Sequence, residues 1–262
     1  MARTAVNSSA IHVFEVLRLV ARTDEPMGVS EISRRLGLPA STVYRALITL
    51  EESDYLVRFQ NMPRYELGPM PQLLNRALVH RFRLHAASRP HLRRLAERTG
   101  DTASLTVRLG WYGLRLAGVY GSHDIYHRDR LGEVLPLHRG AARLGMLAFL
   151  TDEDRDAYRR FAERQRLGVD WAAVEALVEA ARERGVAFDP LAAALPVRDP
   201  AGHVLASISI SAVERDAASE AIWRAARDEL EAEIAQAPAS FASPFAHIPA
   251  DDIVLNLARD AG

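Results

Sequence analysis

Apolar residues in the first fifty positions recur every three or four residues, which is the spacing of one buried helical face. A first helix is predicted after the N-cap residues at 7–9, and the Asp-Glu-Pro sequence at 24–26 ends it. A second short helix over 31–36 takes Ser30 as its N-cap, and a third runs over 39–52. The buried stripe of this third helix consists of Val43, Ala46, Leu47 and Leu50.

The next segment changes to the two-residue alternation of a β-strand. Residues 55–59 alternate, residues 60–63 form a turn, and residues 64–67 return as a second strand. Glycine and proline at 68–71 then end the module. Three helices followed by a β-hairpin are typical of a winged helix-turn-helix. We therefore predict such a domain over residues 1–71.

An arginine-rich segment with helical spacing follows this module. Its first helix is predicted to reach about Ala87, Pro90 interrupts it, and a further helix continues over 91–98. Together they form a predicted linker helix region over 72–98. The apolar stripe over 73–84 is interpreted as a dimer seam or a contact between domains rather than a membrane anchor.

The rest of the chain mixes strand and helix patterns, which is typical of an α/β domain. Strands over 102–109 and 114–120 are joined by a tight turn at 110–113. The remaining predicted elements are an extended run over 134–137, helices over 139–150, 153–166, 171–184 and 215–236, and strands over 194–198 and 204–210.

A chain of 262 residues is long enough for two small domains or one large one. We predict the fold class α+β, with an α/β domain over 99–237 that follows the winged helix-turn-helix and the linker. The Ala-, Pro- and Ser-rich tail over 238–262 regains apolar residues at 253–257, where we expect one short docked helix.

Two residue types are missing, and their absence excludes several classes of chemistry. The chain has no Cys, which excludes disulfides, thiolate nucleophiles and thiolate metal sites. It has no Lys, which excludes a Walker-type phosphate lysine and a Schiff-base lysine. No apolar run approaches the roughly 18 residues of a membrane span, and the N-terminus is too polar for a secretory signal. We expect a cytoplasmic protein that does not contact the membrane.

Charge is distributed unevenly, although the net charge is only −1. Residues 1–71 are neutral overall, residues 72–98 carry seven arginines and one acid, and residues 99–262 have a net charge of −7. A basic stretch between a neutral and an acidic part favours a modular chain with one end that faces a polyanion. The alternative is an arginine-rich helix that is solvated or pairs with acids of the larger domain.

In a helix-turn-helix, the second helix presents its N-terminal side chains to base edges in the major groove. The matching helix here, over 39–52, has hydroxyls, a tyrosine and an arginine outside its buried stripe. Hydroxyl groups bind phosphates, and arginine reads guanine or clamps a phosphate. The candidate DNA-binding residues are Ser41, Thr42, Tyr44 and Arg45 on this helix, and Arg58 and Arg64 on the wing. Because the module is neutral, a protein-interaction role is the alternative.

Metal binding and catalysis have little support in the sequence. His123 and His127 have the four-residue spacing of two ligands on one helical face, but the Gly-Ser sequence before them favours a loop. His138, Ser209 and Asp189 supply the residue types of a hydrolase triad, but no G-x-S-x-G sequence occurs. We expect no metal site, no cofactor and no enzymatic activity.

Several motifs occur in an order that points to a known family. They are the helix-turn-helix sequence over 28–47, Tyr-Glu-Leu-Gly at 65–68, Thr-Gly-Asp-Thr at 99–102, Pro-Leu-His-Arg-Gly-Ala at 136–141, Pro-Val-Arg-Asp at 196–199 and Val-Leu-Ala-Ser-Ile-Ser-Ile-Ser at 204–211. Over residues 10–235 the chain resembles the isocitrate lyase regulator (IclR) family of bacterial transcription factors. The resemblance implies a winged-helix DNA-binding domain, a linker helix used in dimerisation and a GAF-like effector domain. It also implies a homodimer or a dimer of dimers on double-stranded DNA with a palindromic operator.

The resemblance further implies an effector pocket between the sheet and its flanking helices. Its candidate residues are Gly140, Ala141, Asp189, Ser209 and Ser211. A helix that begins at Gly140 and Ala141 offers free backbone N–H groups to a carboxylate, and the two serines add hydroxyl donors from one strand face. The chain departs from the family pattern at Arg143, where the family usually has a lysine, and in a shortened segment before Pro196.

Three interpretations of the α/β domain follow. In the first, a small, carboxylate-like effector controls DNA binding through the linker. In the second, which the shortened segment favours, the domain binds no ligand and serves only as a dimerisation scaffold. The third is an enzyme or a protein-binding module.

Overall fold

The chain folds into two compact units, Met1–Leu78 and Val79–Gly262. The structure, a computed structural model, describes residues 7–23, 25–59, 62–81, 83–123, 131–211, 217–237, 241 and 248–252. The first unit contains helices and a small sheet, and the second combines helices with a larger sheet. The α+β fold class predicted from the sequence is therefore confirmed.

The first unit is a winged helix-turn-helix. Its helices are α1 (Ser8–Val20), α2 (Val29–Leu36) and α3 (Ala40–Glu52), and its strands are β1 (Met27–Gly28), β2 (Leu56–Arg58) and β3 (Arg64–Leu67). The strands are antiparallel in the order β1-β3-β2. Three helices pack around a core that includes Val16, Ile32, Leu47, Leu56 and Tyr65. Strand β1 was not predicted, because two residues are too few to show an alternating pattern.

The helix starts in this unit follow different rules. The side chain of Asn7 caps α1 by accepting hydrogen bonds from the backbone N–H groups of Ser9 and Ala10 at 3.0 and 3.3 Å. The prediction that Ser30 caps α2 is wrong, since the N-cap is Gly28. Gly28 pairs in β1 and the chain passes directly from that strand into the helix, so Ser30 lies in the first turn.

Two helices follow, α4 (Met70–Arg81) and α5 (Arg83–Thr99). The prediction that Pro90 interrupts the linker is wrong, because α5 continues through it. Proline removes the hydrogen bond to the carbonyl of Ala86, but both residues are exposed, so water can solvate that carbonyl. Packing of the opposite side keeps the helix continuous. The buried residues of α5 are Leu84, Ser88, His91, Leu92, Leu95 and Ala96.

The sheet of the second unit has six antiparallel strands among the described residues. They are β4 (Ala103–Leu109), β5 (Tyr112–Val119), β6 (Val134–Pro136), β7 (Ala187–Phe188), β8 (Ala193–Arg198) and β9 (Val204–Ile210), in the order β6-β5-β4-β9-β8-β7. Leu109 pairs with Tyr112, so the β4–β5 turn has two residues, Gly110 and Trp111, rather than the four predicted. Gly110 has φ +58°, the left-handed conformation that such two-residue turns require.

The described part of this unit also contains four further helices, namely α6 (Ala141–Leu147), α7 (Asp152–Arg164), α8 (Trp171–Arg184) and α9 (Ala217–Gln236). Helix α6 packs against β8 and β9, and α5 packs against α9 and against β4 and β5. Gly185 ends α8 in the left-handed conformation, as the sequence predicts. Helix α6 is shorter than predicted, because Gly140 has φ +75° and cannot belong to the helix.

The end of the chain is described only in part. Phe241 is buried, and residues Ala250–Asp252 form a short 3₁₀ turn. The helix expected at 253–257 lies outside the described residues. Of the helices that the structure describes, none combines the length and the apolar character needed to cross a membrane.

Candidate DNA-binding and effector sites

The turn between α2 and α3 fixes where the third helix begins. Gly37 adopts the left-handed conformation, with φ +65°, and ends α2. The backbone N–H of Leu38 donates to the carbonyl of Ser33 at 3.2 Å, and the Ser33 hydroxyl donates to the carbonyl of Leu38 at 2.6 Å. These reciprocal hydrogen bonds make the turn rigid, so the N-terminal end of α3 has a defined position in the unit.

The first two turns of α3 present polar side chains to solvent. Val43, Ala46, Leu47 and Leu50 are buried, which confirms the predicted stripe. Ser41 and Arg45 are exposed, Tyr44 is 48% exposed, and Thr42 is half-buried. The geometry therefore leaves this edge of α3 open to a partner.

The wing presents two arginines in different environments. Arg58, at the end of β2, is exposed and lies opposite Tyr65 in the sheet. Arg64 is also exposed, but its guanidinium donates to the carbonyl of Pro26 at 2.7 Å. Arg64 thus ties β3 to the segment before β1, a structural role that the sequence analysis did not predict.

A further arginine of this unit was missed from the sequence. Arg34 is exposed on α2, and it has no ion-pair partner among the residues that the structure describes, whereas Arg35 pairs with Glu31 at 2.7 Å. In helix-turn-helix proteins the first helix of the motif crosses the DNA backbone. The signal available in the sequence was that no acidic residue lies four positions before Arg34, so Arg34 cannot form the ion pair that Arg35 forms with Glu31.

Three of the predicted effector residues meet at the start of α6. The backbone N–H of Ala141 donates to Oδ2 of Asp189 at 2.7 Å. The other carboxylate oxygen accepts from the N–H groups of Leu191 and Ala192, both at 2.8 Å. The expectation that Ala141 offers a free N–H to a ligand is therefore wrong, because Asp189 already occupies it. Gly140 is the N-cap residue of α6.

One of the two predicted serines, Ser209, lies on the face of the sheet that α6 covers. Successive strand residues point to opposite faces, so Ser207 and Ser209 of β9 point the same way, whereas Ser211 follows the last residue of that strand. The Ser207 hydroxyl donates to the carbonyl of Ala142 in α6 at 2.6 Å, which identifies that face. Ser207 was not predicted, although the alternating serines of this segment were the signal for it.

Both predicted serine hydroxyls have partners within the protein. The oxygen of Ser209 lies 3.0 Å from the hydroxyl of Ser104, its neighbour on β4, and both side chains are buried. The Ser211 hydroxyl accepts from the backbone N–H of Thr102 at 3.1 Å. Neither serine presents a hydroxyl without a partner.

A buried arginine of α6 contacts the sheet at the start of β5. Arg143 is only 3% exposed. Its guanidinium donates to Glu133 at 2.8 Å and to the carbonyl of Gly113 at 3.2 Å. The pKa of Arg143 is lowered from its ordinary value because the side chain is buried, and the Glu133 carboxylate offsets only part of this effect. A side chain at position 113 would bring its Cβ to 2.6 Å from the Arg143 side chain, so glycine is required there. The neighbouring Thr106 hydroxyl is buried and has no hydrogen-bond partner among the described residues.

His138 pairs with Tyr158 rather than with a catalytic group. Its Nδ1 lies 2.6 Å from the Tyr158 hydroxyl, and that hydroxyl also accepts from the His138 backbone N–H at 3.1 Å. Burial, with a smaller effect of Arg139, lowers the pKa of His138 to about 4, so its imidazole is neutral at pH 7. Burial also raises the pKa of Tyr158. Since His138, Ser209 and Asp189 each bind different groups, the three do not form a hydrolase relay.

The histidine pair considered for metal binding is described in part. His123 lies in a turn, as the sequence predicts, and its Nδ1 is 3.7 Å from Asp101. His127 lies outside the described residues. Among the side chains that the structure does describe, no group of three metal-ligating residues occurs.

A cavity of about 250 Å³ lies between α7 and α8, away from all five predicted effector residues. Arg159 of α7 pairs with Glu175 of α8, and Arg182 of α8 lies 3.6 Å from Asp152 of α7. The Arg159 guanidinium also lies over the Trp171 ring, 5.0 Å from its centroid. These pairs join the two helices across the cavity, so they stabilise the contact between α7 and α8.

Two family models match this chain. The model of the IclR helix-turn-helix domain matches residues 9–58, and the model of the bacterial transcriptional regulator IclR C-terminal domain matches residues 76–237. The chain belongs to the IclR family. It is an IclR-type transcriptional regulator with a helix-turn-helix DNA-binding domain and a C-terminal effector domain.

Named IclR relatives support this assignment. The HTH-type transcriptional repressor AllR of Salmonella typhimurium is 27% identical over 209 residues, which are 75% of this chain and 76% of that protein. AllR of Escherichia coli K12 is 25% identical over the same length.

Solved IclR structures share the fold. The regulator of Alicyclobacillus acidocaldarius has a TM-score of 0.70 at 23% identity and covers 91% of this chain and 100% of its own. The Thermotoga maritima IclR structure has a TM-score of 0.68 at 22% identity, with 86% and 98% covered. An IclR homologue of Microbacterium hydrocarbonoxydans, solved with 4-hydroxybenzoate, has a TM-score of 0.68 at 23% identity, with 87% and 99% covered.

The tail beyond the IclR match contacts the effector domain at two described positions. The guanidinium of Arg83, at the start of α5, lies 6.0 Å from the centroid of the Phe241 ring. The Asp251 carboxylate accepts from the Trp111 indole at 2.6 Å and from Arg164 at 2.8 Å. The tail therefore contacts both the first turn of α5 and the turn between β4 and β5.

Proposed function

We propose that the chain is a cytoplasmic homodimer that binds a palindromic operator in double-stranded DNA. The observation that carries this proposal is the exposed edge of α3 at Ser41, Tyr44 and Arg45, on a helix whose opposite side is buried. In a symmetric dimer two identical edges read a palindrome, and adjacent half-sites lie about 34 Å apart. A dimer of dimers would engage four such edges.

The side chains on this edge have different proposed roles. Arg45 reads a guanine through two parallel hydrogen bonds, because the guanidinium fork matches the two acceptors of that base in the major groove. Ser41, Thr42 and Tyr44 bind phosphate oxygens and set the register of the helix on the duplex.

The wing and α2 supply further phosphate contacts in this proposal. Arg58 binds the backbone beside the half-site. Arg64 contributes mainly by fixing the wing through Pro26, and its remaining donors face the phosphates. Arg34 binds the backbone where the first helix of the motif crosses it.

The proposed effector is a small carboxylate that binds between α6 and the serine-bearing face of β9. Gly140, Ala141 and Asp189 form one wall, and Ser209 and Ser211 lie on the sheet side. Because Asp189 already occupies the Ala141 N–H, the carboxylate of the effector needs a cation, and Arg143 is the buried arginine on this side. The homologue solved with 4-hydroxybenzoate supports an aromatic acid as the class.

Such an effector switches DNA binding only through unequal affinity for two arrangements of the dimer. A change from almost full to almost no occupancy requires about 5.5 kcal/mol of differential binding. The linker helices α4 and α5 connect the DNA-binding domain to the effector domain along the chain, so we propose that they transmit the difference.

Operator selection tests the proposal. The purified full-length protein is incubated with a pool of random duplexes, and bound duplexes are recovered and sequenced over several rounds. The proposal expects inverted repeats whose half-sites are about one helical turn apart or a multiple of it. Recovery of sequences without two-fold symmetry would contradict a dimer that reads a palindrome.

A thermal-shift panel tests the effector. Small aliphatic carboxylates, aromatic acids and matched amides are added separately, because a true ligand raises the melting temperature by mass action. A rise with one acid, absent with its amide and reduced in the Arg143→Gln variant, supports the proposal.

The alternative function is a ligand-independent regulator whose effector domain is only a dimerisation scaffold. The specific observation that favours it is that Asp189, Ser209 and Ser211 all have hydrogen-bond partners within the protein. No thermal shift across the panel, together with intact operator binding, would support this alternative.

A further inference from the structure

The buried Arg143 side chain uses only part of its hydrogen-bonding capacity within the protein. A guanidinium has five N–H donors on three nitrogens. The Nε atom donates to the carbonyl of Gly113 at 3.2 Å, and Nη2 donates to the Glu133 carboxylate at 2.8 Å. The third nitrogen, Nη1, has no hydrogen-bond partner in the part of the chain that the structure describes. Two donors of a charged side chain that is only 3% exposed are therefore available to a ligand.

The Nη1 atom of Arg143 lies beside the corner where the proposed effector binds. A Cβ at Gly140 would stand 3.8 Å from this nitrogen and 3.6 Å from Oδ2 of Asp189. Gly140 is itself exposed, and its φ of +75° favours glycine. Arg143 is thus buried beneath a point of the surface that has no side chain, so a ligand at this corner can reach the guanidinium.

Glu133 is already bound to Arg143 as a carboxylate ligand would be. Its side chain is 18% exposed, and it directly precedes β6. In the described sheet, β6 is an edge strand of three half-buried residues and pairs with β5 alone. Edge segments with few buried contacts open at low free-energy cost. The acid that neutralises Arg143 therefore belongs to a weakly held part of the sheet.

A buried guanidinium needs a counter-charge, and this requirement decides which ligands can reach Arg143. Removal of one partner of a buried ion pair leaves an uncompensated charge and is strongly destabilising. A neutral amide that displaced Glu133 would leave Arg143 in this state. A ligand carboxylate would instead replace Glu133 by a group of the same charge, size and geometry. Replacement is also more favourable than binding beside Glu133, because two carboxylates on one guanidinium repel each other.

We propose that Glu133 is an internal occupant of the carboxylate position on Arg143, and that an acidic effector binds by replacing it. This inference rests on the proposed effector function and adds the step by which the acid enters the site. The ligand carboxylate accepts from both terminal nitrogens of Arg143, an arrangement stronger than a single hydrogen bond. The Glu133 carboxylate moves into water. Glu133 is thus a specificity-determining residue, because only an anion can replace it.

The replacement has a second effect, on β6. Once its side chain leaves Arg143, Glu133 is still held through its carbonyl, which accepts from the backbone N–H of Arg115 at 2.9 Å. The three-residue ladder with β5 remains as well. Since the ion pair no longer supports this edge, the backbone N–H groups over 131–136 exchange with solvent faster in the presence of the acid.

The test measures the affinity of sodium benzoate and of benzamide by isothermal titration calorimetry. Full-length wild type is compared with E133Q and E133Q/R143Q. Glutamine keeps the shape of the side chain and an acceptor for Arg143 but removes the competing charge. E133Q is expected to bind benzoate about tenfold more tightly than wild type, with the affinity for benzamide unchanged. E133Q/R143Q is expected to lose the preference for the acid.

A matched control removes an acid from another ion pair of the same unit. Glu229 of α9 binds Arg94 at 2.5 Å, and E229Q changes the net charge by the same amount as E133Q. This control is expected to keep the wild-type affinity for benzoate within about twofold. If E133Q does not fold, E133D keeps the charge on a side chain one methylene shorter, and its affinity for benzoate is expected to lie between those of wild type and the control-corrected value for E133Q.

Hydrogen exchange followed by mass spectrometry distinguishes replacement of Glu133 from a simple loss of repulsion. Benzoate is expected to increase exchange over 131–136 in wild type, whereas E133Q exchanges fast there with and without benzoate. A tighter complex with E133Q, but no change of exchange in saturated wild type, would show that Glu133 stays on Arg143 and would overturn the replacement.

The remaining outcomes separate this inference from the proposed effector function. If an acid of the thermal-shift panel stabilises wild type while E133Q binds benzoate no better than wild type does, only this inference fails. If no acid stabilises wild type but E133Q binds benzoate, Glu133 is the internal occupant and control by an acidic effector fails. If neither protein binds any acid, both fail.

Discussion

At the scale of single residues, the exposed guanidinium of Arg45 makes the sharpest prediction. Replacing Arg45 with Ala removes the proposed bidentate base contact, so operator affinity is expected to fall by about 1–3 kcal/mol. Affinity for a scrambled duplex falls less, because that complex depends on phosphate contacts. Anisotropy titrations with both duplexes measure the difference.

The control for this change is Arg18→Ala, which removes the same charge from an exposed position on α1. This variant is expected to bind the operator and the scrambled duplex slightly more weakly, by the same factor. Equal losses on operator and scrambled DNA in the Arg45 variant would remove Arg45 from base recognition.

His138 predicts a dependence of stability on pH. Its pKa in the folded protein is about 4, below the ordinary value of about 6.5, because burial disfavours the charged imidazole. Protonation therefore favours the unfolded chain, and the stabilisation from neutral His138 is complete above about pH 6.5 and is lost as the pH falls towards 4. Urea denaturation measures the free energy of unfolding across this range.

The comparison with His138→Asn isolates this contribution from the other titrating groups. The difference in the free energy of unfolding between wild type and variant is expected to shrink as the pH falls from 7 to 4. Tyr158→Phe keeps the buried histidine, so it retains the wild-type fall with pH. A difference between wild type and His138→Asn that does not change with pH would refute the prediction.

Which residues are exposed could be predicted from the sequence, but which residues they bind could not. The buried stripe of α3 repeats every three or four residues, and the exposed edge at Ser41, Tyr44 and Arg45 follows from it. The bond between Asp189 and Ala141 joins residues 48 positions apart. No local pattern encodes such a pair, so the sequence suggested a free N–H where the structure has a capped one.

At the scale of elements, long periodic segments were predicted well and short or irregular ones were not. Strands β1 and β7 have two residues each, which is too short for a period. The continuity of α5 through Pro90 depends on packing against α9, and tertiary contacts of this kind override a local helix breaker.

The contact between the tail and the β4–β5 turn gives a prediction at this scale. Replacing Asp251 with Ala removes the acceptor of the Trp111 indole N–H, whose side chain is only 3% exposed. A buried donor without a partner costs about 1–3 kcal/mol, so the variant is expected to unfold at lower urea concentration. The free energy of unfolding from urea titration checks this value.

Arg164→Ala is the matched control, since it removes only the half-exposed partner of the same carboxylate. Exposed ion pairs contribute at most about 1 kcal/mol. If the free energy of unfolding fell by the same small amount in both variants, the hydrogen bond from the Trp111 indole would not anchor the tail.

At the scale of the whole molecule, the proposed function requires a symmetric assembly. Each chain has a mass of 29.0 kDa, so sedimentation equilibrium is expected to give about 58 kDa for a dimer or about 116 kDa for a dimer of dimers. If the effector acts by rearranging a preformed dimer, the mass of the protein measured in the absence of DNA should not change when the effector is added. If the protein has the mass of a single chain at micromolar concentration, it is a monomer, which would contradict the proposal that a stable dimer reads a palindrome.

The hydrogen bond between Asp189 and the first turn of α6 also affects which anions can bind at this position of the effector domain. This carboxylate belongs to the same polypeptide, so its local concentration at the Ala141 N–H is far above that of any dissolved acid. We therefore expect acetate and other small anions to compete poorly for the Ala141 N–H. Under the proposed function, an effector bound beside it needs further contacts in addition to those of its carboxylate.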